Sequence, residues 1–282
     1  SAAVPLFRGD LANVYTLADL TGTNNKWRFE LYQQGVYKSI TNFNGQNGRT
    51  FLFELTPQSP IEGKRLERVY DDDLSTGIQK CLNTEGTVYY DYEHLAADGV
   101  TLQPITYIHP SSNAMGYHFS YYTYCIYNEN GVHDIVYRNL KLIRANSASV
   151  KTQGAQYITF QHLYITDNPT GGVVHTSYLE DGIRYYDKHH IVEDCKIEDV
   201  GYYSRGDGEG SGVLYDGAEG LSSDSNIVRN CDISITSNSG HDHVIYDHCS
   251  FNTFYGNYIH DGPGIGIKIR NLKAYRCIED EG

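Results

Sequence analysis

The segment IVEDCKI, residues 191–197, recurs as IVRNCDI at residues 227–233, and this near-repetition decides the fold. Three more segments align with the pair: VYRNLKL at 136–142, TFQHLYI at 159–165 and TFYGNYI at 253–259. Their first, fifth and seventh places are mostly apolar, and the fifth place holds leucine, leucine, cysteine, cysteine and asparagine in turn. Such columns are expected where the same places of successive units stack on one another.

Each segment is followed, after a polar turn, by a second strand-like stretch: ASVKT, GGVVHTS, SGVLYDG, GHDHVIYD or GIGIKI. The spacing between units is irregular, which a helical repeat array does not tolerate. A parallel β-helix does, because its insertions leave the coil at a corner. Residues 128–282 are therefore predicted to form a right-handed parallel β-helix, with the hand taken from the rule for parallel crossovers. A β-sandwich is the alternative, but it does not explain the fifth-place column.

Residues 1–127 show no clear repeat, although WRFELYQQGVYKSI and RTFLFELTP read as strands. We predict a non-repeating β region that packs on the solenoid or caps it, because terminal coils expose apolar faces and strand edges. The fold class is therefore all-β. The coil rhythm continues into YRCIEDEG at the chain's end, so a second subunit, in a homo-oligomer, or a further segment is expected to cover the last coil.

The charge balance is acidic, with 22 Lys and Arg against 35 Asp and Glu. It argues against a nucleic-acid partner, which would require a basic stripe, whereas a local basic patch can still bind an anionic glycan. No apolar run approaches the ~18 residues of a membrane span, and no signal peptide is visible. The six cysteines form no C-x-x-C pair, so a zinc or redox motif is not indicated and their disulfide state stays open.

The coils NIVRNCDI, GHDHVIYDHC and NTFYGNYIHDGPGIGIKI, with residues 134–168, resemble the pectin-lyase-like superfamily of carbohydrate-active β-helix proteins. The stretch NVYTLADL to NGQNGRT looks like the β segment that precedes the solenoid in some bacterial β-helix glycosidases. This resemblance implies a polysaccharide or oligosaccharide substrate and an extracellular or periplasmic location. Polygalacturonase-type hydrolases carry Gly-His-Gly and Arg-Ile-Lys motifs. Here Gly240-His241 precedes an aspartate and Lys268-Ile269-Arg270 runs in reverse order, so that family's catalytic set does not transfer.

The second strands carry the candidate substrate contacts. Their apolar residues align as Val150, Val174, Leu214, Val244 and Ile267, which we expect to point inward. Side chains one place away then point outward. The outer face would carry Lys151, His175, Tyr215, His243, Lys268 and Arg270, with the register of GHDHVIYD the least certain because His243 and Val244 could exchange faces. A groove of this kind suits an anionic sugar chain; we expect Lys151, His175, Tyr215, Lys268 and Arg270 to bind it.

Carboxylates and histidines supply the candidate catalysts: Asp216, Glu219, His241, Asp242 and His243. Paired carboxylates favour glycoside hydrolysis, which is the first prediction. A polysaccharide lyase that eliminates across a uronate with Lys, His, Tyr and Arg is the alternative. A non-catalytic, tailspike-like glycan binder is the second alternative. No cofactor is required. Asp207 and Glu209 in RGDGEG are weak calcium candidates, and the two histidines of His-Asp-His are a weak zinc pattern without a third ligand.

Overall fold

The structure is a computed structural model that describes residues 5–7, 28–31, 37–41, 52–69, 73–91, 95, 98–100, 105–119, 124–145, 147–202, 210–216, 225–237, 240–249 and 251–269. The chain divides into two compact units. One comprises Gly9–Tyr121, and the other comprises Ser1–Arg8 with Tyr122–Gly282. The predicted boundary lay at residues 127 and 128. No repeat pattern in the sequence indicates that the first strand belongs to the second unit.

Among the described residues before residue 124 there are nine strands and one helix. The strands are β1 (Pro5–Phe7), β2 (Arg28–Leu31), β3 (Tyr37–Thr41), β4 (Leu52–Thr56), β5 (Ser59–Arg65), β6 (Glu67–Arg68), β7 (Thr87–Asp91), β8 (Ile105–His109) and β9 (Gly116–Phe119). The helix α1 (Leu74–Asn83) lies between β6 and β7. Its N-cap residue Asp73 accepts a hydrogen bond from the Thr76 backbone N–H at 2.7 Å, which satisfies one of the free donors of the first turn.

The unit Gly9–Tyr121 contains two sheets, ordered β2-β3-β8-β7-β6 and β5-β4-β9. Their neighbouring strands are antiparallel, apart from the parallel pair β6 and β7. The helix packs Ile78, Cys81 and Leu82 against Tyr89 and Tyr107. This is the non-repeating β region that the sequence predicted. Within the described residues no helix has both the length and the apolar character to cross a membrane.

In the described part of the second unit, eighteen short strands follow. They are β10 (Ile126–Asn128), β11 (Val136–Arg138), β12 (Lys141–Ile143), β13 (Val150–Gln153), β14 (Thr159–Gln161), β15 (Tyr164–Thr166), β16 (Val173–Thr176), β17 (Tyr178–Glu180), β18 (Ile183–Tyr185), β19 (Ile191–Glu193), β20 (Lys196–Ile197), β21 (Val213–Asp216), β22 (Ile227–Arg229), β23 (Asp232–Ser234), β24 (Ile245–Asp247), β25 (Thr253–Tyr255), β26 (Tyr258–His260) and β27 (Ile267–Ile269). β17 and β18 form an antiparallel hairpin, an insertion between two coils.

The other strands of this unit, with β1, form three parallel sheets. Sheet 1 has the order β10-β13-β16-β21-β24-β27, sheet 2 the order β11-β14-β19-β22-β25, and sheet 3 the order β1-β12-β15-β20-β23-β26. Each coil contributes one strand to each sheet in turn, so the chain winds as a parallel β-helix. The all-β solenoid expected from the sequence is confirmed.

Left-handed residues form the corners of the coils. Each repeat segment is two strands, not one, because its fourth place bends between sheets 2 and 3 with positive φ: Asn139, His162, Asp194, Asn230 and Gly256. The bend resets the in–out alternation. The second place therefore points inward instead of the expected first place, as buried Phe160, Val192 and Val228 show. The corner N–H groups stay bonded to the next coil, for example Asp194 to the carbonyl of Arg229 at 3.1 Å.

The core fills the lumen between the sheets. The fifth-place residues Leu163, Cys195 and Cys231 and the seventh-place residues Ile165, Ile197 and Ile233 are all buried there. Cys195 and Cys231 stack in adjacent coils as thiols, and all five cysteines in the described part of the chain are buried and free of disulfides. Asparagine enters the same column as Asn257, whose side chain accepts the Cys231 backbone N–H at 3.0 Å. The column therefore tolerates both apolar and amide groups.

Gly172 lies where neighbouring coils approach each other closely, so a substitution there tests the packing between coils. A Cβ atom on Gly172 would lie 2.5 Å from the Gly212 carbonyl oxygen and 2.7 Å from Cγ2 of Ile197. We expect Gly172→Ala to lower the free energy of unfolding by about 1–3 kcal/mol, because the backbone of the next coil has to move. Denaturant unfolding measures this. Gly240→Ala, whose Cβ would meet nothing within 4 Å, is the matched control, and equal losses for both variants would contradict the packing.

Candidate active site

The outer face of sheet 1 is fixed by its register. Val150, Val173, Val213, Ile245 and Ile267 are paired in successive strands, and all but the last are buried in the lumen. The residues one place further along each strand lie on the opposite, outer face. They are Lys151, Val174, Leu214, Tyr246 and Lys268.

Five polar and aromatic residues gather at one end of this face, and we call them the outer cluster: Asp216, His243, Tyr246, His248 and Lys268. The Tyr246 ring is their centre. The His248 ring meets it edge-on at 4.3 Å between centroids, and the His243 ring does so at 5.2 Å. The Lys268 Nζ lies 5.4 Å from the same ring centroid, within range of a cation–π interaction. Tyr246 is 6 % exposed yet does not belong to the lumen core, so its neighbours on the outer face cover it.

His248 is oriented by a carboxylate. Its Nδ1 atom lies 3.6 Å from Oδ1 of Asp216, which sits at the exposed end of β21. The negative charge favours the tautomer with the proton on Nδ1, so Nε2 presents a lone pair. Nε2 is buried and has no hydrogen-bond partner among the described residues. An oriented imidazole with a free acceptor nitrogen is the arrangement of a general base.

His243 has the opposite tautomer. Its Nδ1 atom accepts the backbone N–H of Ile265 at 3.1 Å, so a neutral ring carries its proton on Nε2. That nitrogen is also buried without a partner in the described part of the chain. Burial lowers the pKa of His243, and the positive charge of Lys268 lowers it further. The ring is therefore a neutral N–H donor at neutral pH.

The two histidines thus place a proton acceptor and a proton donor beside one tyrosine hydroxyl group and one ammonium group. This set can remove a proton, stabilise a developing negative charge and return a proton to a leaving oxygen. The sequence identified Asp216, His243 and Lys268 but missed Tyr246 and His248. In VIYDH, either Val244 or Ile245 could be the inward residue, and the structure buries both, with Ile245 in the ladder. Taking Ile245 as inward would have put Tyr246 and His248 on the outer face.

The expected outward orientation of His175 and Tyr215 is wrong. Both side chains are fully buried and lie in the lumen, where their rings stack 4.7 Å apart. The cause is a one-residue slip: GGVVHTS and SGVLYDG each contain two adjacent apolar residues, and the alignment chose the second. Lys151 and Lys268 do lie on the outer face, at its two ends.

The remaining predicted residues fall elsewhere. Asp242 is buried. Its carboxylate accepts hydrogen bonds from the Ser237 hydroxyl and from the Gly210 N–H at 3.2 Å, and these bonds stabilise a corner of the coil. His241 is exposed beside it. Four predicted site residues lie outside the described residues: Asp207, Glu209, Glu219 and Arg270.

A second cluster, in the lumen, combines His175, Asp187 and His190, whose ligand atoms lie within 4.8 Å of one another. One oxygen of Asp187 accepts the Ala155 N–H at 2.7 Å, and the other accepts the Thr152 hydroxyl. Each histidine has a nitrogen 3.4 Å from the latter oxygen. Burial alone would raise the pKa of Asp187, but hydrogen bonds from the two histidines outweigh it and hold the pKa at about 2.

The chemistry of this lumen cluster does not fit a metal ion. His190 uses Nδ1 to accept the Ile158 N–H at 3.2 Å, so its Nε2 atom, which faces Asp187, carries the proton and offers no lone pair. The rings of His175 and His190 are nearly parallel, at 15° and 4.7 Å, so their in-plane lone pairs do not converge. The arrangement is that of an ionised carboxylate held by N–H and O–H donors.

Comparisons with protein-family models, with curated proteins and with solved structures found no match for this chain.

The buried carboxyl group of Asp247, beneath the outer cluster, makes the stability of the fold depend on pH. Burial raises the pKa of Asp247 to about 6, although the Cys249 N–H at 2.8 Å and the Asn252 amide at 3.0 Å oppose the rise. Because the folded chain holds this proton more tightly than the unfolded chain, stability is lost as the pH rises from about 4 to about 6. Asp247→Asn should therefore stabilise the protein by roughly 2 kcal/mol at about pH 7 and by little near pH 4.

Denaturant unfolding at both pH values measures that difference. His175 acts in the opposite sense, because burial lowers its pKa to about 4 and stability is lost as the pH falls from about 6.5 to about 4. That contribution is common to wild type and variant and cancels in the comparison. A stability difference that stays the same at both pH values would contradict the assignment.

Proposed function

We propose that the protein is a carbohydrate-active enzyme that cleaves a uronate-containing, anionic polysaccharide by β-elimination at the outer cluster. The observation that carries this proposal is the placement of His248 and His243 edge-on to the Tyr246 ring, with the Lys268 ammonium at the same ring. The resemblance of the coils to pectin-lyase-like carbohydrate-active proteins agrees with it. An extracellular or periplasmic location, where such polymers occur, is part of the same proposal.

Each residue of the outer cluster has a role in this reaction. Lys268 pairs with the uronate carboxylate and so acidifies the neighbouring C–H group. Both Nε2 atoms are buried in the free chain, so substrate binding has to uncover them. Nε2 of His248 then takes that proton, with Asp216 stabilising the imidazolium that forms. The electron pair of the broken C–H bond forms a C=C bond as the glycosidic C–O bond breaks. Nε2–H of His243 donates its proton to the leaving oxygen, and the Tyr246 hydroxyl group supports the developing charge. The products are a new reducing end and an unsaturated uronate.

Glycoside hydrolysis fits the outer cluster less well. It requires two carboxyl groups that flank the scissile bond, and Asp216 is the one acid of the cluster within the described residues. Asp242 and Asp247 are buried and hydrogen-bonded. A non-catalytic, glycan-binding solenoid would need sugar contacts on its surface but no acid–base pair such as His243 and His248 beside one lysine.

Removal of the base tests the proposal. His248→Ala should lower kcat by roughly 10²- to 10⁴-fold, because general base catalysis contributes about that much. The assay follows the ultraviolet absorbance of unsaturated uronates together with reducing ends, on a panel of polygalacturonate, alginate and neutral glucans. His162→Ala, a histidine exposed at another corner, is the control and should remain active. Reducing ends without the absorbance would identify a hydrolase and overturn the elimination.

The role of Lys268 is tested by the charge of the substrate. Lys268→Gln should lower kcat/KM on the uronate polymer by about tenfold or more, because the carboxylate then lacks its counter-charge. On the same polymer with its carboxyl groups esterified, wild type and variant should differ little. A loss of equal size on both substrates would assign Lys268 a structural role.

A further inference from the structure

The corner between sheets 1 and 2 carries exposed aromatic residues. Its five left-handed positions, with φ between 55° and 61°, are Asp134, Tyr157, His189, Ser225 and Phe251. We call Tyr157, His189 and Phe251 the corner row. Tyr157 is 50 % exposed and Phe251 is 59 % exposed. The row lies outside the lumen and outside the outer cluster.

Folding does not account for these aromatic residues. A left-handed backbone is costly for bulky side chains and cheapest for Gly, Asn and Asp. The corner between sheets 2 and 3 follows that preference at Asn139, Asp194, Asn230 and Gly256, with His162 as the exception. At the corner row the strained positions hold large rings that gain little burial in return. A strained and exposed aromatic residue indicates a role other than stabilising the fold.

The geometry of the corner row suits a chain that runs along the solenoid. The Tyr157 and His189 rings stack at 4.7 Å and 16°, one coil apart, and Phe251 follows two coils later, about 10 Å along the axis. A column of hydrogen-bonding side chains runs beside the rings: His133, Gln156 and Lys188 are joined by parallel bridges in successive coils. Rings and polar groups thus alternate across a convex edge.

The corner row also borders the proposed active site. Phe251 follows His248 by three residues in the same coil, at the corner between β24 and β25. A polymer held along this edge would stay beside the outer cluster between cleavage events. We propose that the corner row is a second, non-catalytic binding site for the same anionic polysaccharide, with the rings stacking on sugar faces and the adjacent column binding hydroxyl and carboxylate groups. This inference rests on the proposed function for the identity of the polymer.

The composition of the edge favours a sugar chain over a protein partner. A protein interface has an apolar, desolvated centre, whereas here Tyr157 and His189 follow the polar residues Gln156 and Lys188, and Phe251 precedes Asn252. Tyrosine and histidine combine an apolar face with a polar edge, which matches the mixed surface of a pyranose ring.

Substitution by asparagine tests the corner row, because asparagine suits the left-handed backbone. The double variant Tyr157→Asn/Phe251→Asn is compared with wild type by affinity electrophoresis in native gels that contain polygalacturonate or alginate. We expect retardation to weaken about tenfold in terms of the dissociation constant. Turnover of short soluble oligouronates should stay unchanged, and the unfolding temperature should rise by a few degrees as strain is relieved. Tyr258→Asn, which removes a 67 % exposed tyrosine from sheet 3, is the matched control and should not alter retardation.

Two results separate this inference from the proposed function. His248→Ala should be inactive yet fully retarded if the corner row binds independently. Loss of retardation in His248→Ala, unchanged retardation in the double asparagine variant, or no retardation of wild type by either polymer would overturn the corner-row site. Dimerisation that the double asparagine variant abolishes would assign the row to self-association instead. If His248→Ala stays active but retardation depends on Tyr157 and Phe251, the proposed reaction fails and the binding site stands.

Discussion

The left-handed residue at each corner is the constraint on which the rest of the structure depends. It turns the chain after two to four residues of strand while its N–H still bonds to the neighbouring coil, as at Tyr157, His162 and Asp194. Hydrogen bonding between coils therefore continues through the bend, which an unpaired turn would interrupt. The bend also resets the in–out alternation, so each sheet has its own register. These resets determine which side chains of sheet 1 face solvent. The outer cluster exists because of them.

A buried amide ladder holds the strand that carries the site. The Asn226 side chain accepts the His190 N–H at 2.8 Å, and Asn252 accepts the N–H of Asn226 at 2.9 Å. Asn252 then donates to Asp247 at 3.0 Å, between Tyr246 and His248 in the sequence. The inner face of β24 is thereby tied through hydrogen bonds to two earlier coils. Such support is what keeps catalytic side chains on the outer face in a fixed geometry.

The solenoid could be predicted from the sequence because the same place of each repeat holds a similar side chain. Leu163, Cys195 and Cys231 occupy one place, and Ile165, Ile197 and Ile233 occupy another. The sequence could not predict which of two adjacent apolar residues faces the lumen, since Val173 and Val174 have the same chemistry and a one-residue slip exchanges all faces. Because of that ambiguity, His175 and Tyr215 were predicted on the outer face although they lie in the lumen, and Tyr246 and His248 were missed. Residues flanked by unambiguous partners, such as Lys268 between Ile267 and Ile269, were placed correctly.

Elimination at the outer cluster determines the mass of the products. Digestion of polygalacturonate or alginate followed by mass spectrometry should give oligosaccharides that are lighter by one water than hydrolysis products, each with an unsaturated non-reducing end. Saturated oligosaccharides that have gained a water molecule, lost on substitution of Asp216 but retained in His248→Ala, would contradict the account.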